Sequence, residues 1–113
     1  MTKAEFIRDG SAWKVSITGH AMFAPEGLPD IVCAACSTLT YVLINQLLKA
    51  ESEGKLIHMH QETDSAAGDF TAEFEAQESA RDEITKVIDV ITDGFALLAD
   101  GYPENVELKW GEK

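Results

Sequence analysis

Cys33 and His20 are of types that together can make a nucleophile. Cys33 stands three residues after Asp30, where an apolar run begins, and His20 follows Gly19 earlier in the chain. A thiol attacks as its thiolate, which is favoured at a helix N-terminus and beside an imidazole. Asp30 is a good N-cap, its carboxylate placed to accept from the amides of Val32 and Cys33. Cys33 is then the third helical residue, near free amides and the positive end of the helix dipole, with the Asp30 charge opposing that effect. His20 as base would form a thiolate–imidazolium pair and later protonate a leaving amine. The amides of the first helical turn offer an oxyanion hole. Ser37 lies one turn on, on the same helix face, either beside the thiol or bonded within the helix. Spacing alone leaves the bland readings open, since a cysteine at a helix start often serves as a small buried hydrophobe.

Those side chains need elements to hold them. Lys3–Arg8 and Ala12–Thr18 alternate like strands, with Trp13, Val15 and Ile17 on one face, and Asp9-Gly10 marks a hairpin turn. Gly19 ends the second strand, placing His20 at a strand end. Pro25, Gly27 and Pro29 exclude a helix from Ala21–Pro29, yet Met22, Phe23 and Leu28 are apolar; the segment is either a lid or groove, or a loop folded onto the core. The helix begun at Asp30 should run to about Glu53 and stop at Gly54. Leu39, Val42, Leu43, Ile44, Leu47 and Leu48 make it apolar on more than one face, which points to a homodimer. Leu56–Glu62 reads as a strand, Thr63–Gly68 as a turn, and Asp69–Ala76 as a strand with Phe70, Ala72, Phe74 and Ala76 inward. Ser79, with Asp82 three residues on, is expected to cap a second helix ended by Gly101 and Pro103. Val106, Leu108 and Trp110 alternate in a last strand. The order ββαββαβ predicts an α+β fold in a single domain, 1–113: a mainly antiparallel sheet with two helices packed on one face.

The formal net charge of −11 over 113 residues argues against nucleic acid and anionic membranes as partners and suits a basic one. No uninterrupted apolar run approaches the ~20 residues of a membrane span, and no apolar signal segment opens the chain. The expected compartment is the cytoplasm, where two cysteines remain thiols. Three rival readings exist. Cys33-Ala34-Ala35-Cys36 is formally a CxxC redox motif, but no tryptophan precedes it and no proline lies within it. Oxidation could still pair the two sulfurs and switch Cys33 off. His58 and His60 alternate onto one strand face, yet acidic neighbours on a solvated face fit surface pairs better than a metal site, so no metal and no cofactor is expected. A non-catalytic dimeric binding module is the third.

Gly19-His20-Ala21, followed by Asp30-Ile31-Val32-Cys33-Ala34-Ala35 with Ser37 and Leu39, resembles the ribosomal-processing cysteine protease (Prp) family. The two motifs, their order and the element pattern make the resemblance cover nearly the whole chain. It implies a dyad of Cys33 as nucleophile and His20 as base, and a dimeric enzyme that cuts a short N-terminal extension from a basic bacterial large-subunit ribosomal protein, after an aromatic residue. It also implies that the segment between the motifs closes over substrate. Substrate contacts are expected from Gly19, Ala21, Met22, Phe23, Gly27, Asp30 and Ser37. Cys36 stands where the family usually has an apolar residue such as valine. The loop before Asp30 is about one residue longer, and Met22 replaces a commonly smaller residue.

Overall fold

Strands β1 (Thr2–Asp9) and β2 (Ala12–Thr18) form the predicted antiparallel hairpin. The first helix, α1, spans Ile31–Ser52 and is followed by β3 (Leu56–Asp64), β4 (Asp69–Ala76), a 3₁₀ turn (Glu78–Ala80), helix α2 (Arg81–Gly101) and β5 (Val106–Glu112). The computed structural model describes residues 1–113. One five-stranded sheet has the order β3-β4-β2-β1-β5. All neighbours are antiparallel except β5, which runs parallel to β1. That pairing rests on α2, which carries the chain from β4 past two strands to the far edge, as a parallel neighbour requires.

Period-two alternation decides which face of the sheet is covered. Phe6 lies opposite Val15, Val15 opposite Ala72, and Ile17 opposite Phe70, and all of these side chains are buried. Their neighbours Lys3, Glu5, Lys14, Thr71 and Glu73 are exposed. The inner face packs against Val32, Cys36, Leu43 and Leu47 of α1 and Ile84, Ile88, Ile91 and Phe95 of α2, giving one contiguous apolar core. The helices come together at Gly94, where an added Cβ would lie 2.7 Å from a methyl of Leu39.

Three expectations change. Ser79 is not a cap: it lies inside the 3₁₀ turn, and α2 starts at Arg81 with Ala80 at its N-cap and no side-chain cap bond. The amide end is tightened instead by the Ala80 N–H donating to the Gln77 carbonyl at 2.9 Å. β3 is not regular, because two residues, His58 and Met59, oppose Phe74 alone, and His58 takes φ 54°. Finally, α1 does reach the length and composition of a membrane span, with a mean hydropathy of 1.7, despite Ser37, Thr38, Thr40, Asn45 and Gln46. One stripe of it packs on the sheet, while Tyr41, Val42 and Leu48 face outward.

Candidate active site

The end of β2, the start of α1 and the β3–β4 turn meet at one end of the sheet. Gly19 takes φ 84°, a left-handed conformation that costs glycine least, and turns the chain out of β2. Its N–H donates to Asp69 Oδ1 at 3.0 Å. The next residue, His20, projects its ring between α1 and the turn. Nδ1 lies 4.0 Å from Cys33 Sγ, and Nε2 lies 3.1 Å from the Ala66 carbonyl oxygen. A carbonyl only accepts, so Nε2 carries the proton and Nδ1 of the neutral ring faces the sulfur with its lone pair. The S···N separation is long, as is common before substrate tightens such a pair.

Cys33 is held by local structure. Asp30 Oδ1 accepts from the Cys33 N–H at 2.9 Å and caps α1. Asp30 Oδ2 accepts from the Phe23 N–H at 2.8 Å and the Ala24 N–H at 3.2 Å, so one carboxylate ties the preceding loop to the helix start. These amides, Cys33's foremost, hold the Asp30 carboxyl below the usual carboxylate range; Val32 contributes least. The expected oxyanion hole is partly spoken for, because the Cys33 amide serves the cap and the Ala34 amide bonds the Asp30 carbonyl at 3.0 Å.

A cavity of about 120 Å³ opens beside the pair. Of the residues expected to contact substrate, Gly19 and Ser37 line it together with His20 and Cys33. Ser37 is exposed, whereas Thr38 and Thr40 bond back to the Ala34 and Cys36 carbonyls. Ala21, Met22, Phe23, Gly27 and Asp30 lie outside the cavity wall. Ala21 is buried and its carbonyl accepts from Asn105 Nδ2 at 3.0 Å. Met22, at φ 57°, is 73% exposed, and Phe23 meets the Tyr102 ring edge-on at 5.2 Å. The loop is thus anchored on the core at Ala21, while Met22 and Leu28, the latter 63% exposed, point away from it.

The turn between β3 and β4 was expected, but its part in the site was not: the turn and the strand ends beside it supply Asp64, Ser65, Gly68 and Asp69 to the cavity wall and the Ala66 carbonyl to His20. Both cysteines are free thiols. Cys36 is buried, and burial pushes its thiol up, the setting of an inert packing group. His58 pairs with Glu75 at 3.3 Å and His60 with Glu62 at 3.4 Å, two separate surface pairs.

A family model described as "Cysteine protease Prp" matches residues 1–107. The chain belongs to the Prp family of cysteine proteases. Among solved structures, SMU.848 from Streptococcus mutans is similar over 100% of this chain and 96% of its own, at 28% identity and a TM-score of 0.72. The ribosomal processing protease Prp from S. aureus, solved with a covalently linked product peptide, is similar over 97% of this chain and 99% of its own, at 19% identity and a TM-score of 0.71. The same S. aureus protein with a substrate peptide gives a TM-score of 0.67 at 18% identity. No curated protein matches the sequence. The Prp architecture, five strands and two helices in the order ββαββαβ, is the one predicted for this chain.

Proposed function

We propose that this Prp-family protease removes a short N-terminal extension from a basic large-subunit ribosomal protein, cutting after an aromatic residue with Cys33 as nucleophile and His20 as base. The observation that carries the reading is the His20 Nδ1 facing Cys33 Sγ at 4.0 Å while Nε2 is occupied by a carbonyl. The thiol proton moves to Nδ1, the sulfur attacks the scissile carbonyl, and the imidazolium returns the proton to the leaving amine. Water then hydrolyses the thioester, His20 taking its proton, and the thiol is restored. Met22, Phe23 and Leu28 offer an exposed apolar surface near the helix start for the aromatic side chain. The charge of −11 favours a basic substrate. The outward Tyr41, Val42 and Leu48 of α1 support a homodimer, and the two free thiols suit the cytoplasm.

The test is incubation with a peptide carrying an aromatic residue followed by a basic segment, read by mass. Cleavage after the aromatic residue is expected, with Cys33→Ala inactive and His20→Ala reduced by on the order of 10²–10⁴ in kcat. Uncut peptide, or near-parental turnover in His20→Ala, refutes the proposal.

A further inference from the structure

The side of His20 that faces away from the sulfur is held by a segment that the dyad chemistry does not assign. Nε2 is 3.1 Å from the carbonyl oxygen of Ala66, 46 residues along the chain in the β3–β4 turn. That turn is tied at both ends. Asp64 Oδ1 accepts from the Ala67 N–H at 3.1 Å, and the Gly68 N–H reaches the Ser65 carbonyl at 3.3 Å. Asp69 Oδ1 accepts from the Gly19 N–H, the residue before the histidine. Asp64 and Asp69 lie directly opposite each other in the β3–β4 register, an arrangement of like charges that ordinarily destabilises a strand pair. Each carboxylate is nevertheless engaged with a backbone amide, one fixing the turn and one fixing the strand end that carries His20. Gly68 closes the arrangement. A Cβ there would lie 2.7 Å from the Gly19 carbonyl oxygen, 2.9 Å from His20 Cε1 and 3.1 Å from Nδ1, and the residue has φ 73°. Only a residue without a side chain lets the turn come this near to the ring.

We infer that the Ala66 carbonyl is the orienting third member of the catalytic unit, and that Asp64 and Gly68 are positioning residues that hold it on His20. This rests on the protease reading above. The carbonyl keeps the proton on Nε2, aims Nδ1 at Cys33, and faces the imidazolium with its dipole once the thiol proton has moved across. A carboxylate or amide fills that place in other nucleophile–base pairs. The other titratable groups lining the cavity are Cys33, Cys36 and Tyr41 from α1 and Asp64 and Asp69 from the strand ends, and none of them is bonded to Nε2.

Asp64→Ala, Asp64→Asn and Gly68→Ala test this in the full chain, after folding is checked by circular dichroism. One readout is kcat and KM on the cleavable peptide. The other is the rate of Cys33 alkylation by iodoacetamide between acid and alkaline pH, which needs no substrate; Cys36 is buried and does not contribute. Asp64→Ala and Gly68→Ala should each lower kcat by about tenfold or more with KM within about twofold, and slow alkylation at neutral pH toward the rate of His20→Ala. Asp64→Asn keeps an oxygen for the Ala67 amide and should rescue kcat and the alkylation rate well above those of Asp64→Ala. Parental kcat and alkylation in both folded variants would overturn the inference, as would equal losses in Asp64→Asn and Asp64→Ala. If Gly68→Ala does not fold, the Asp64 pair decides alone. If the parent cuts no peptide, the protease reading falls while the alkylation profile still decides the positioning.

Discussion

At the scale of single residues, Asp30 joins two structures that chemistry needs together. One oxygen caps the helix carrying Cys33 and the other gathers the amides of Phe23 and Ala24. Asp30→Ala should cost about 1 kcal/mol through the lost cap, measured by urea unfolding at neutral pH. The pH dependence has a definite sign. The amides lower the folded-state carboxyl below its ordinary value of 3.8. Its stabilising contribution is therefore complete above that value and is lost as pH falls through the lower folded value. Parent and variant should thus converge in melting temperature in strong acid; a gap that persists there contradicts this account. The cap was readable because it is local: Asp30 and Cys33 are three residues apart, and an N-cap has a residue-type signature. The partner of His20 was not readable. It is a backbone carbonyl, which every residue possesses, and it arrives through folding from 46 residues away.

At the scale of elements, the strands were plain because each has one covered face, so the alternation survives in the sequence. The bulge in β3 left no such mark, since an extra residue in one strand shows only against its partner. The start of α2 was misplaced because Ser79 has the residue type of a cap but sits one residue too early, inside the 3₁₀ segment. The parallel seating of β5 on β1 depends on where α2 carries the chain, which no local pattern states. The contact between the helices is tight at Gly94, against the end of Leu39. Gly94→Leu should destabilise the fold by about 1–3 kcal/mol through overpacking, whereas Gly94→Ala should stay close to the parent. There the better helix propensity of alanine, about 1 kcal/mol, offsets the shift imposed on a flexible side chain. Equal stability of the leucine variant and the parent in denaturant unfolding would show that the helices are not in close packing at this point.

At the scale of the whole molecule, the excess of carboxylates bears on how substrate arrives. Acidic groups stand at the cavity itself, with Asp64 and Asp69 in its wall. On the proposed basic substrate, raising salt from about 0.15 M to 1 M shortens the screening length from about 8 Å to about 3 Å. KM for a basic peptide should rise several-fold over that range with kcat nearly constant, and a peptide of neutral flanks should show little change. A salt-independent KM for the basic peptide would mean that the overall field does not guide it.

The irregularity at His58 also bears on how copies of the chain coexist. β3 is an outer strand, with one row of backbone donors and acceptors unclaimed by the sheet. A neighbour seeking to extend the sheet needs that row straight and evenly spaced. Here it is interrupted by a left-handed residue and flanked by Glu62 and Asp64, so like-charged copies meet a bent and repelling border. A small protein at high concentration is thereby discouraged from polymerising edge to edge.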